Sequence, residues 1–202
     1  MVVTKYGIAA GPQFLASRAG AHVLEQGGNA VDAAIAANAV MGVVQPYVNG
    51  MGGDLFAIVY IAKENKLYGL NSSGWTPKVL TVDYLKTHGI TKLDSIGVPT
   101  IDVPGCVAGW DALSHRFGTL QFQKLLAAAI FYAENGFPVA ERNARYWVAP
   151  KLLNQPGWKQ TYEPNGIAPG LGDTFKTPRS VNPYARSRCM AATLFTTANS
   201  QK

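Results

Sequence analysis

The chain has 202 residues, 48% of them hydrophobic and 15% charged, with a formal net charge of +6. That is enough apolar material for a core and too little charge for a chain built to stay unfolded. No stretch of eighteen apolar residues occurs, which excludes an ordinary membrane-spanning helix. The positive charge is concentrated at one end: Thr174 onward holds Lys176, Arg179, Arg186, Arg188 and Lys202 and no acid. Setting those five aside leaves 13 basic against 12 acidic residues, so the body is nearly neutral and nucleic acid is not an expected partner. Of the two cysteines, Cys189 lies in the same basic tail. Cys106 alone supports neither a disulfide framework nor a metal cluster. The opening Met1–Tyr6 lacks the basic-then-apolar layout of a secretion signal.

In chain order, Leu15, Ala19 and Val23, together with Ala16, Gly20 and Leu24, recur at helical spacing. Gly27-Gly28 ends that helix, because glycine accepts the left-handed backbone of a C-terminal cap. Asn29 caps the next helix, with Asp32 three residues on, where a carboxylate suits the exposed amides and the helix dipole. This second helix, Ala30 to about Val43, is alanine-rich and apolar nearly all round, the pattern of a buried helix with close neighbours. Pro46 to Asp54, with Gly50, Gly52 and Gly53, reads as a loop with tight turning and close backbone packing. Leu55–Ile61, a polar turn at Lys63-Glu64-Asn65, and Lys66–Leu70 predict a β-hairpin. Helices are expected at Val82–His88, Cys106–Phe117, Phe122–Asn135 and Ala140–Tyr146, separated by turns at Pro104-Gly105, Gly118 and Gly136. A strand pair followed by helices is an α+β or layered α/β pattern.

Read residue by residue, the chain shows no catalytic set. His22, His88 and His115 lie far apart in helical contexts with no partner at metal-ligand spacing. The glycine loop lacks the Lys-Ser/Thr of a phosphate loop and enters a strand instead of a helix. No Gly-x-Ser-x-Gly elbow is present.

Five ordered segments carry more. They are Leu15–Gly20, Leu24 with Gly27–Ala36, Gly42–Pro46 with Gly50–Phe56, Val103–Trp110, and Ala127–Val139. Together they closely resemble the N-terminal region of gamma-glutamyltranspeptidases, over about Tyr6 to Phe175. The resemblance implies an α/β fold of the N-terminal-nucleophile hydrolase type, an αββα sandwich that would be incomplete in this chain. It implies a precursor that cuts itself before a threonine into a large and a small subunit. The freed threonine attacks a γ-glutamyl amide such as glutathione, with its own amine as base and main-chain amides holding the oxyanion. The γ-glutamyl group then passes to water or an amino acid. No cofactor is implied, and a secreted or periplasmic location is expected.

Two departures qualify that expectation. The family's nucleophile belongs to a stretch beyond this chain. Thr196-Thr197 is not it, since Ala198 follows where the family has histidine and no glycine pair comes after. Members that act on γ-glutamyl groups also place an arginine after the returning strand to hold the substrate's α-carboxylate. Here that region reads Leu70-Asn71-Ser72-Ser73-Gly74-Trp75-Thr76-Pro77, without arginine. Asn71, Ser73 and Trp75 are the candidate pocket residues in its place, and no catalytic residue is assigned within the chain.

Beyond Phe175-Lys176-Thr177-Pro178 the resemblance fades. Codons from Thr193 onward, read across their third bases, permit Ala-Leu-Tyr-His-Gly-Glu-Phe-Ala-Lys, and those from Tyr184 permit Arg-Ala-Ile-Ala. Both fit the family's continuation. The expected organisation is therefore a large-subunit portion over 1–178 and a frameshifted, disordered tail over 179–202. The expected activity is γ-glutamyl transfer and glutathione hydrolysis in the full protein, with this chain inactive alone and its small subunit as partner. The alternatives are an amidase or acylase on another substrate and a non-catalytic α/β interaction domain.

Overall fold

The computed structural model describes residues 3–93, 97, 100–147, 156–163 and 165–177. The expected tail over 179–202, Thr196-Thr197 included, lies outside the described residues. The chain divides into two compact units, one formed by Met1–Gly50 with Ser114 onward and the other by Met51–Leu113.

The first unit is built on helices. Helix α1 (Phe14–Glu25) starts at Gln13, whose buried side chain accepts from the Leu15 and Ala16 amides. It buries Leu15, Ala16, Ala19, Gly20, Val23 and Leu24, the two rows its spacing predicts. Its end is a Schellman closure. Gly27, at φ 86°, donates to Leu24 O (3.1 Å), and Gly28 donates to Val23 O (3.0 Å). Helix α2 (Ala30–Val44) begins with a capping box. The Asn29 side chain accepts from the Val31 and Asp32 amides, and the Asp32 carboxylate accepts from the Asn29 amide. Asp32 does more than its position in the sequence suggests, for it is fully buried and also accepts from the Thr119 amide and hydroxyl.

Helix α2 packs against both α1 and α5 (Phe122–Asn135). The approach to α1 is close because Gly20 leaves room: a Cβ there would stand 2.8 Å from Ala9 Cβ and 3.1 Å from Ala33 O. After α5 come β3 (Phe137–Pro138), α6 (Glu141–Trp147), α7 (Pro156–Tyr162) and β4 (Thr174–Phe175). Strands β3 and β4 pair antiparallel, and Val139 N–H to Asp173 O (2.8 Å) extends the junction. Around it Phe137, Trp147, Tyr162 and Phe175 pack edge-to-face and stacked, with Trp147 Nε1 donating to Tyr162 O. Asn143, buried on α6, donates from Nδ2 to Val44 O at the end of α2.

The second unit holds the hairpin of β1 (Leu55–Ile61) and β2 (Lys66–Ser72), joined by a 3₁₀ turn over Ala62–Glu64 and a left-handed Asn65. The strands pair antiparallel with Leu55 opposite Ser72 and Ile61 opposite Lys66. Leu55, Ala57, Val59 and Ile61 are half-buried, while Phe56, Ile58 and Tyr60 on the other face are exposed. Helices α3 (Val82–Thr87), capped by Thr81, and α4 (Cys106–Phe117) follow. The division between the units falls within α4.

The glycine loop differs from its expected reading. Nothing stands within 4 Å of a Cβ built at Gly50 or Gly52, and neither has positive φ. Both glycines face open space, so close packing is not what they serve within this chain. No helix among the described residues is long and apolar enough to cross a membrane.

Candidate functional site

The segment Asn71–Trp75, where the sequence puts its three candidate residues, leaves β2 and is pinned at every residue. The Asn71 side chain accepts from the Ser73 amide (2.9 Å), an Asx turn that bends the chain out of the strand. Ser72 Oγ donates to Gly105 O (2.8 Å). The Gly74 amide donates to Asp54 Oδ1 (3.1 Å), and Trp75 O accepts from the Val103 amide (3.1 Å). Gly53 O in turn accepts from the Gly105 and Cys106 amides at the start of α4. Asp54, Val103 and Gly105 are therefore the holders of the segment.

Two glycines make this possible by contact alone. A Cβ at Gly74 would sit 1.6 Å from Val103 O, and one at Gly105 would sit 2.1 Å from Ser72 O. Backbone meets backbone there, so no side chain fits at either position. Gly109 extends the same packing one turn into α4, against Leu55 and Ser72. The result is a fixed main chain from which Ser73 and Trp75 project into solvent.

The structure thus brings Asn71, Ser73 and Trp75 together on one segment but gives them different work. All three are exposed, but Asn71 spends its side chain on the turn, whereas those of Ser73 and Trp75 project into solvent. The charge that enters this segment is the Asp54 carboxylate, a residue the sequence reading did not single out. Its partner is twenty residues away, and no local spacing announces a contact of that kind. Residues 51–113 contain no arginine at all.

Cys106 is buried at the first turn of α4. Burial, reinforced by the nearby Asp54 carboxylate, pushes its thiol up to about 11, so it is protonated and unreactive at neutral pH. His22, His88 and His115 are not gathered, and no group of three or more His, Cys, Asp or Glu side chains among the described residues could hold a metal ion.

Known proteins agree with this framework over most of the chain. The family description "Gamma-glutamyltranspeptidase" matches residues 16–186. The glutathione hydrolase-like YwrD proenzyme of Bacillus subtilis is 36% identical over 166 residues, covering 81% of this chain and 31% of that protein. The crystal structure of Helicobacter pylori gamma-glutamyltranspeptidase superposes with a TM-score of 0.78 at 31% identity, over 87% of this chain and 52% of that one. The cephalosporin acylase from Bacillus halodurans superposes with a TM-score of 0.73 at 40% identity, over 80% of this chain and 32% of that one. The chain spans about a third of the length of the curated relatives it matches.

Proposed function

From the premise that this chain belongs to the gamma-glutamyltranspeptidase family, we propose that it forms the N-terminal part of the large subunit of an amide-cleaving acyl-transfer enzyme. The acyl donor is a γ-glutamyl amide such as glutathione, and the acceptor is water or an amine. On this reading a second subunit of the same precursor supplies the threonine nucleophile, its amine base and the oxyanion donors, and completes the αββα sandwich. The exposed apolar face of Phe56, Ile58 and Tyr60 suits that role, since three large side chains on one strand face are left for another element to cover. No cofactor is required.

The observation that carries the reading is the family match over residues 16–186, within which the segment Asn71–Trp75 is held by hydrogen bonds and by close backbone packing at Gly74 and Gly105. Loss of a charge-assisted pair to a carboxylate costs about 1.5–3 kcal/mol, roughly ten- to a hundredfold in affinity. With neutral residues where an arginine would stand, glutathione is held weakly. Steady-state kinetics of the complete processed protein test this. A high glutathione KM is expected, and a KM in the low micromolar range would overturn the weak hold.

A second reading has a specific observation behind it. The arginine-free unit 51–113 offers no bidentate partner for an α-carboxylate, which favours an amidase or acylase acting on a non-glutamyl amide. Comparing kcat/KM for γ-glutamyl p-nitroanilide with that for neutral acyl p-nitroanilides separates the two.

A further inference from the structure

Three asparagines of the chain are followed by glycine, at Asn49-Gly50, Asn135-Gly136 and Asn165-Gly166. In this dipeptide the side-chain amide is open to attack from the next main-chain nitrogen, because glycine brings no Cβ to obstruct the closing ring. In a folded chain the attack depends on whether the glycine N–H is already bonded and whether the asparagine side chain is held elsewhere.

Two of the three are held. Asn135 ends α5 and donates from Nδ2 to Phe131 O (2.9 Å), while the Gly136 amide donates to Tyr132 O (2.9 Å). Gly136 is also hemmed in, since a Cβ there would stand 2.9 Å from Phe175 O. At the third dipeptide the Gly166 amide donates to Glu163 O (2.8 Å). Asn49-Gly50 is different. The Asn49 amide donates to Gln45 O (3.1 Å), which anchors its main chain. Among the described residues, however, no hydrogen bond holds the Asn49 side chain and none occupies the Gly50 N–H. Nothing stands within 4 Å of a Cβ built at Gly50, and both residues are partly exposed. The open space around Gly50, which packing does not explain, is the room that ring closure requires.

We propose that Asn49 is a site of spontaneous covalent modification, deamidating through a succinimide closed by the Gly50 nitrogen. Solvent base takes the Gly50 amide proton and the nitrogen bonds to Asn49 Cγ. The Cγ–Nδ2 bond breaks, and the leaving group takes up a proton and departs as ammonia. Water then opens the ring at either carbonyl, giving aspartate or isoaspartate. Either product adds a negative charge to the loop. Isoaspartate also routes the main chain through the side-chain methylene, so the connection lengthens by one atom where the chain passes from the first unit into the second. The inference is independent of the reaction proposed above.

The test ages the 202-residue chain in mildly alkaline buffer, with a second sample in urea as reference. Peptide mapping by mass spectrometry, with fragmentation that separates aspartate from isoaspartate, follows each site. In urea the three sites should deamidate at similar rates. In the folded sample Asn49 should stay within about threefold of its urea rate, while Asn135 falls at least about tenfold and Asn165 lies between, the order that local opening imposes. Gly50→Ala should slow Asn49 about tenfold by crowding the ring. It should leave the unfolding midpoint unchanged, because the added Cβ meets no atom and Gly50 has no positive φ. Asn49 protected as strongly as Asn135, or equal rates at the three sites without urea, overturns the inference. So does a product at Asn49 that contains no isoaspartate, or a Gly50→Ala variant that deamidates as fast as the wild type.

Discussion

The two units of this chain reach stability by different means. In the first, α1, α2 and α5 bury side chains against one another, and the aromatic group of Phe137, Trp147, Tyr162 and Phe175 closes a second cluster within the same unit. In the second, the buried residues among those described all come from α4, and no residue of the β1–β2 hairpin is buried. Its order comes from backbone hydrogen bonds and from glycines that let main chain touch main chain. Apolar burial contributes roughly 25 cal/mol per Å², so a unit that buries little leans on directional contacts and on whatever else comes to cover it. A helical core can stand on its own side chains, but a two-stranded hairpin with a bare face is only marginally stable by itself.

Three substitutions probe that contrast. The largest effect is expected from Trp147→Ala. It removes a fully buried indole, its hydrogen bond to Tyr162 O and its ring contacts with Phe137 and Phe175. A loss of about 3–5 kcal/mol should appear in chemical denaturation of the first unit. A loss below about 1 kcal/mol would mean that the aromatic group is not the second cluster of that unit. Asp32→Ala comes next. It removes the buried acceptor of the Asn29 and Thr119 amides and of the Thr119 hydroxyl, three part-buried bonds, for about 1–2 kcal/mol. An unchanged midpoint would show that the link between α2 and the turn after α4 contributes nothing. The smallest change is expected from Ile58→Lys, on the exposed face of β1. In this chain it should shift stability by no more than about 0.5 kcal/mol. In the complete protein the same lysine should impair assembly if that face is covered. Equal, negligible effects in both would remove the hairpin face from the list of assembly surfaces.

How far the sequence discloses this architecture depends on where each contact lies along the chain. Helices α1, α2, α4 and α5 are legible because their signals are local, whether apolar spacing, the Gly27-Gly28 end or the Asn29 cap. The hairpin is legible too, though β2 runs on to Ser72, two residues past the expected Leu70. Helix α7 goes unread. Seven residues leave little periodicity, and the available signals were Pro156 at its first position and the Trp158–Tyr162 spacing. Strands β3 and β4 have two residues each and exist through pairing across more than thirty residues, which no window shows. The candidate site divides the same way. Ser73 and Trp75 are named by the segment they occupy, whereas Asp54, Val103 and Gly105, which hold it, are joined to it by contacts distant in sequence. The glycine loop shows the opposite error, because a run of glycines suggests tight packing even where Gly50 and Gly52 face open space.

The interruption of the first unit has a consequence in time. Helix α2 ends at Val44 and its packing partner α5 begins at Phe122, with the whole second unit between them. A ribosome adding about 5–20 residues per second needs roughly 4–16 s to cross that gap of about 80 residues. For that interval a helix apolar nearly all round has only α1 to lean on. Newborn chains are thus most exposed to premature association during synthesis of the hairpin. Slowing translation once α5 is complete and clear of the ribosome should be harmless, whereas a pause between Gly50 and Leu113 should draw chaperones to the α2 segment.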